Sequence, residues 1–208
     1  ILKSKRRAAI KGLMQDPMKR KRLFVHSKSL VERKKNLQNR LLETEDFRPL
    51  LEAFPCWCVT TYAASGSLPL KPGLFDVVII DEAYTYFYQK NSLKLINEYD
   101  NVVILRTFSK MLSLPAVRLG AIVSNKQNIQ YINNTKPTYS INGVAIAFGE
   151  AVVDNFDRVL HELYTKFDGG RKYLLKELQT NNYSYIPTEG CFICITPKYK
   201  TAEEITAE

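Results

Sequence analysis

Two short, almost continuous apolar runs stand out in the middle of the chain. The first, FDVVIIDEAY, ends in acids, and the second, NVVILRTFSK, ends in hydroxyl residues and a lysine. Runs of this length and composition are typical of buried, central strands in a parallel sheet. With a helix predicted between them at about 91–98, they form a β-α-β unit whose strand ends meet at one sheet edge. Open α/β sheets bind their ligands at that edge.

Apolar spacing on either side of this unit predicts the remaining elements. Helices are expected at about 3–14, 27–44, 47–54, 127–134, 144–180 with a possible break at Gly169 and Gly170, and from 201 onward. Further strands are expected at 57–61 and in RLGAIVSN, YSYIP and CFICITP. The sequence therefore predicts an α/β fold with a mostly parallel sheet. Its predicted regions are a basic helical arm at 1–55, an α/β region at 56–180 and the start of a small α+β domain at 181–208.

Positive charge is concentrated at the start of the chain. The net charge is +9, and residues 1–55 hold 15 Lys and Arg against 6 Asp and Glu, whereas the remainder is balanced. Such an arm can bind nucleic-acid phosphates, but leucines at near-helical spacing favour an ordinary solvated helix face. No apolar run reaches the roughly 18 to 20 residues that span a bilayer, and no secretory signal is evident. We therefore expect a cytoplasmic protein without a membrane anchor, and, because it begins with Ile, a piece of a longer chain.

The four cysteines and two histidines follow no metal or redox pattern. Cys191 and Cys194 have CxxC spacing, but residues three apart on a strand point to opposite faces. No second pair has the spacing of a zinc site. We expect free thiols in a reducing compartment and no metal.

Six polar residues are expected to gather at the carboxyl ends of the two apolar strands. They are Asp81, Tyr84, Thr107, Ser109, Lys110 and Arg118. A pyridine cofactor held through its aldehyde needs an amine, an acid opposite its ring nitrogen and an anchor for its phosphate. Lys110 could supply the amine and Asp81 the acid, with hydroxyls and a guanidinium as the anchor. Taken singly, a lysine is more often a surface charge and an acid after a strand is often a helix cap.

The segment DEAYTYF, followed by NVVILRTFSKMLSLPAVRLGAIVSN, resembles the core of class I/II pyridoxal-phosphate-dependent aminotransferases. The similarity is greatest to the histidinol-phosphate aminotransferase branch and runs from about residue 81 to the end, including YSYIPTEGCFICITPK. It implies fold type I, pyridoxal 5′-phosphate as the cofactor, a small amino-acid substrate and a homodimer.

The resemblance also implies a role for each of the six residues. Lys110 would bind the cofactor and carry protons, Asp81 would face the pyridinium nitrogen, and Tyr84 would donate to the ring oxygen O3′. Thr107, Ser109 and Arg118 would be phosphate ligands. SLPAV stands where the family usually has a glycine-containing turn, and Pro115 is expected to stiffen it. Other family site parts, including the arginine for the substrate carboxylate, fall outside these 208 residues, so we expect cofactor capture without efficient turnover.

The residues before this motif resemble a different family. FRPLLEAFPCWCVTTYAASGSLPLKPGLFDVVIIDEA is similar to the superfamily 1 DNA/RNA helicase segment that leads into the Walker B acids. That resemblance implies Asp81 as a Mg²⁺ ligand and Glu82 as the base that activates water for ATP hydrolysis. The phosphate-binding G-x-x-x-x-G-K-[ST] loop does not occur in the 208 residues. A helicase fragment and a non-catalytic, basic nucleic-acid-binding module therefore remain as alternatives.

Overall fold

The computed structural model describes residues 2–18, 20–21, 48–61, 63–64, 68, 72–138, 140–198 and 204. Contacts divide the chain into two compact units, Ile1–Phe75 and Asp76–Glu208. The predicted boundaries after residues 55 and 180 stay a prediction. Within the described part of the chain, no helix is both long and apolar enough to cross a bilayer.

The described part of the first unit includes two helices that pack against each other, α1 (Leu2–Gln15) and α2 (Arg48–Ala53). Ala53 is fully buried. Both helices were expected from the sequence, and both predictions are confirmed. The helix predicted at 27–44 lies outside the described residues.

The strand predicted at 57–61 is wrong. Residues 55–60 have no regular structure, and residues 61, 63 and 64 are helical. Thr60 begins a helical turn, because its hydroxyl accepts a hydrogen bond from the Ala63 N–H at 3.1 Å. Its carbonyl also accepts from the N–H groups of Ala63 and Ala64, at 3.0 and 2.9 Å. The apolar alternation that suggested a strand is overridden by this local capping.

A three-stranded sheet organises the second unit, in the order β1 (Val78–Asp81), β2 (Val102–Thr107) and β3 (Gly120–Ser124). β1 and β2 are parallel, which confirms the predicted β-α-β unit, and β3 runs antiparallel to β2. The α/β class is confirmed, and the described sheet has one parallel and one antiparallel pairing. β1 lies at an edge of this sheet and not at its centre as predicted.

Two short helices connect β1 to β2, α3 (Thr85–Tyr88) and α4 (Leu95–Glu98). The helix predicted at 91–98 therefore begins later than expected, at Leu95. The Ser92 N–H donates to the Glu82 side chain, so this part of the chain forms a turn instead of the first helical turn.

Helices follow the sheet, namely α5 (Lys126–Asn133), α6 (Gly143–Asp154) and α7 (Phe156–Thr180). The predicted break at Gly169 and Gly170 is wrong, since α7 runs through both and the interruption falls at Asn155. An interior glycine costs roughly 1 kcal/mol relative to alanine. Packing of the helix against α3 favours the unbroken course, with the centroids of Phe167 in α7 and Phe87 in α3 4.9 Å apart.

The chain continues into an antiparallel hairpin of β4 (Tyr185–Ile186) and β5 (Cys194–Ile195). This hairpin confirms the strand pair predicted from YSYIP and CFICITP. Of the helix predicted from residue 201, only Glu204 lies within the described residues, and it is helical.

Candidate functional site at the ends of β1 and β2

The carboxyl ends of β1 and β2 carry two of the predicted site residues on one face of the sheet. Asp81 ends β1 and is paired in register with Leu105 of β2. Leu105 and Thr107 are two residues apart on the same strand and so point to the same face. Asp81 and Thr107 therefore lie on the same face of the sheet, at the carboxyl ends of the strands, where ligands of α/β proteins bind.

The Asp81 carboxylate is exposed and oriented by its own backbone. Its Oδ1 accepts a hydrogen bond from the Ala83 N–H at 2.9 Å. Among the described residues, no donor reaches the second carboxylate oxygen. An external cationic N–H group could therefore bind it.

Lys110 and Tyr84 lie against each other. The Lys110 Nζ is 5.4 Å from the centroid of the Tyr84 ring, a geometry worth about 0.5–1 kcal/mol at an exposed site. The ring of Phe192, in the β4–β5 hairpin, meets Tyr84 edge-on with 5.3 Å between centroids. The structure thus brings the predicted amine and phenol together and adds Phe192, which the sequence analysis missed because it is distant along the chain.

The turn after β2 holds the predicted hydroxyl residues close together. The Ser109 N–H donates to the Thr107 Oγ1 at 3.1 Å. Pairing with β3 continues beyond Thr107, because the Phe108 N–H donates to the Leu119 carbonyl at 3.2 Å. This continuation brings the residue before Leu119, Arg118, to the same end of β2 and β3.

Arg118 has a left-handed backbone, with φ of 58°. Such a conformation is uncommon for a residue with a side chain and is often associated with function. A 3₁₀ helix, Pro115–Val117, precedes it, and proline suits the first position of a helix because its φ is already fixed. The Arg118 Nη1 donates to the Pro115 carbonyl at 3.0 Å. Within the described ranges, Arg118 makes no hydrogen bond to the other five predicted residues, and its remaining N–H groups can serve an anion.

An ion pair between a buried carboxylate and a half-buried guanidinium, not predicted from the sequence, occupies the opposite face. Glu82 and Arg106 have side chains only 3% and 17% exposed. The Arg106 Nε and Nη2 donate to the Glu82 Oε2 at 3.1 and 2.8 Å, while the Ser92 N–H donates to Oε1. The Arg106 guanidinium also lies 5.5 Å from the centroid of the Tyr86 ring. Because both oxygens of Glu82 accept hydrogen bonds, this arrangement suits a fixed ion pair better than the water-activating base of the helicase interpretation.

A cavity of about 450 Å³ adjoins the ion pair. It is lined by Thr85, Tyr86, Gln89, Asn91, Arg106, Phe156, Asp157, Leu160, His161 and Tyr164. None of the six predicted site residues is in this set. The cavity and the predicted site are therefore different places in the second unit.

The cysteine and histidine positions show no metal-binding geometry where the structure describes them. No group of three or more His, Cys, Asp or Glu side chains there could hold a metal ion. Cys191 and Cys194 are exposed and free.

The profile of the family "Aminotransferase class I and II" matches residues 76–207. The chain belongs to this family. The match begins at Asp76, where the second compact unit also begins. It includes the apolar strand before Asp81, which the helicase resemblance also covers; the helicase resemblance of the preceding residues stays a prediction.

Curated aminotransferases share clear sequence identity with the chain. A histidinol-phosphate aminotransferase of Citrifermentans bemidjiense is 33% identical over 137 residues, which cover 66% of this chain and 39% of that protein. A histidinol-phosphate aminotransferase of Clostridium novyi is 36% identical over 110 residues, covering 50% and 29% respectively. The chain thus spans well under half the length of these relatives.

Solved structures show the same fold. The chain is similar to histidinol-phosphate aminotransferase from Clostridium acetobutylicum, with a TM-score of 0.51, 22% identity, and coverage of 62% of this chain and 40% of that one. It is also similar to the Sinorhizobium meliloti enzyme in complex with pyridoxal 5′-phosphate, with a TM-score of 0.51, 22% identity and coverage of 58% and 33%. The second unit therefore has part of the type I fold of pyridoxal-phosphate-dependent aminotransferases.

Proposed function

We propose that this chain is the cofactor-binding part of a pyridoxal 5′-phosphate-dependent aminotransferase of the histidinol-phosphate aminotransferase kind. The intact enzyme would transfer an amino group between an amino acid or amino-phosphate and a 2-oxo acid. The observation that carries the proposal is the placement of Asp81 and Thr107 on one face of the strand ends, beside the contact of Lys110 with Tyr84.

The chemistry of the residues fits this cofactor. The Asp81 carboxylate suits a protonated pyridine nitrogen, since an opposite charge at hydrogen-bonding distance favours the charged form. The hydroxyls of Thr107 and Ser109 and the guanidinium of Arg118 suit a phosphate group. The bound cofactor would supply an electron sink for the carbanion that forms at the substrate Cα.

Lys110 would have two chemical roles in turn, so its side chain must be free to move between them. Its exposed amine can bond covalently to an aldehyde, and after release it can take and return the proton at the substrate Cα. Tyr84 offers a hydroxyl on the ring that Lys110 contacts, so the two can act on neighbouring atoms of one ligand. The contact between them supports a shared site.

Covalent capture of pyridoxal 5′-phosphate tests the proposal. The chain is incubated with the cofactor, reduced with borohydride and digested, and the modified lysines are located by mass spectrometry. We expect the adduct at Lys110, its loss in Lys110→Ala, and its retention in Lys126→Ala, which removes another exposed lysine of the same unit. Adducts spread evenly over surface lysines, unchanged by Lys110→Ala, would contradict the assignment.

Three further features of the protein are proposed. The family resemblance supports a homodimer acting on small amino-acid substrates. Four exposed, free cysteines support a reducing compartment such as the cytoplasm. Nucleic-acid binding by the basic arm at 1–55 rests on its charge alone.

A further inference from the structure

The ion pair of buried Glu82 and half-buried Arg106 joins the two strand ends that carry the proposed cofactor contacts. Glu82 directly follows Asp81, and Arg106 directly precedes Thr107. The two side chains are linked by two hydrogen bonds, at 3.1 and 2.8 Å. A shift of one strand end relative to the other would break this double contact.

The pair acts from the face opposite the site. The Glu82 N–H donates to the Leu105 carbonyl at 2.9 Å, so strand pairing continues one residue past Asp81. Successive residues of a strand point to opposite faces, which places Glu82 opposite Asp81 and Arg106 opposite Thr107. A ligand held by Asp81 and Thr107 is therefore out of reach of the ion pair.

We propose that Glu82 and Arg106 are positioning residues, which fix the spacing of Asp81 and Thr107 through the backbone and so set the affinity for the cofactor. The proposal rests on the proposed function for its cofactor. Its structural part, the holding of two strand ends, stands on the contacts of the pair alone.

Contacts around Glu82 and Arg106 hold the pair in place, and we call the pair the clamp. The Ser92 N–H donates to Glu82, and the Arg106 Nη1 makes a long hydrogen bond to the Tyr86 hydroxyl at 3.4 Å. The Tyr86 ring meets Phe156 of α7 edge-on, with 5.6 Å between centroids. The clamp thus connects both strand ends to α3 and to the long helix. A buried pair of this kind often adds little net stability, whereas its geometry is specific.

Hydrogen exchange in the cofactor-free chain tests the structural part. The informative amides are those of Ala83 and Ser109, which donate to the side chains of Asp81 and Thr107. In Arg106→Met we expect both amides to exchange about tenfold faster or more, as local opening becomes easier, while the Ile104 amide at the strand centre changes less. Unchanged exchange at Ala83 and Ser109 would overturn the proposal.

The exposed pair of Arg158 and Glu162 provides a matched control. It is also an Arg–Glu contact, at 3.4 Å, but both side chains are more than half exposed. Glu162→Gln should leave the hydrogen-exchange rates of the Ala83 and Ser109 amides unchanged, because exposed ion pairs contribute little to stability.

Cofactor affinity tests the functional part. Arg106→Met should weaken pyridoxal 5′-phosphate binding by about tenfold or more, and Arg106→Lys by less, since it restores the charge but not the double contact. The double variant Glu82→Gln/Arg106→Met leaves no buried charge unpaired, so it should stay folded while still binding weakly. A lower melting temperature with unchanged affinity in these variants would mean that the pair has only a structural role and would overturn the proposal.

The two measurements separate this proposal from the proposed function. If the unaltered chain does not bind pyridoxal 5′-phosphate but Arg106→Met loosens Ala83 and Ser109, the cofactor assignment fails and the clamp stands. If the chain binds the cofactor and the variants bind it equally well, the clamp fails and the cofactor assignment stands.

Discussion

β1 and β2 have similar apolar sequences but very different surroundings. In β2, Val103 is 6% exposed and Ile104 is fully buried, whereas in β1 Val78 is 38% and Ile79 is 62% exposed. β2 is paired on both sides, with β1 and with β3, while β1 is paired with β2 alone among the described strands. The two strands therefore differ in burial because β2 has two neighbouring strands and β1 has one, and not because their residue types differ.

This difference limits what an apolar run can predict. A run of valine and isoleucine indicates a strand that is suited to burial, but the partner that buries it lies elsewhere in the chain or in another chain. β1 leaves one edge of backbone N–H and carbonyl groups without a described partner, together with apolar side chains. Such an edge can pair with another strand.

The largest effect on stability is expected from Ile104→Ala. Removing this fully buried side chain should lower the free energy of unfolding by about 2–5 kcal/mol, because it loses apolar burial and leaves a cavity between the strands and helices. Urea denaturation of the variant and the unaltered chain measures the difference. A loss below about 1 kcal/mol would show that Ile104 is less enclosed in solution than in the structure.

A crowded and an open position can also be compared in the helices, at two glycines. A Cβ at Gly149 in α6 would lie 2.6 Å from the Leu119 Cδ2, whereas one at Gly170 in α7 would meet nothing within 4 Å. Gly149→Ala should destabilise the chain by up to about 2 kcal/mol, since overpacking exceeds the gain in helix propensity. Gly170→Ala should stabilise it by about 0.5–1 kcal/mol. Thermal melts of both variants check the opposite signs, and stabilisation by both would show that Leu119 moves aside freely.

The same dependence on neighbours explains which parts of the fold could be predicted. β2 and α5 could be predicted because their signals are local, an apolar run for β2 and apolar spacing for α5. The structure adds a local cap to α5, where the Asn125 side chain accepts from the Asn128 N–H at 2.9 Å. A central position for β1 and a break in α7 were predicted, and both predictions are wrong. The edge position of β1 and the unbroken course of α7 depend on contacts with residues that are distant along the chain.

The candidate site divides in the same way. Asp81, Lys110 and their companions were predictable because strand ends and a family motif mark them in the sequence. The pair of Glu82 and Arg106 depends on strand register, which no single run reveals. Alternation along DEAY and ILRT could have indicated it, because opposite charges follow Asp81 and precede Thr107.

The smallest effect on stability is expected from Ile79→Ala, which removes the same side chain from β1 as Ile104→Ala removes from β2. Because Ile79 is already 62% exposed, its truncation should change the free energy of unfolding by less than about 1 kcal/mol, mostly through strand propensity. Urea denaturation at several protein concentrations measures this loss and shows whether it depends on association. A loss as large as that of Ile104→Ala would mean that another strand or a second copy covers β1 in solution. Dependence on concentration would then favour a second copy, because stability gained from association follows mass action, whereas cover from within the chain does not.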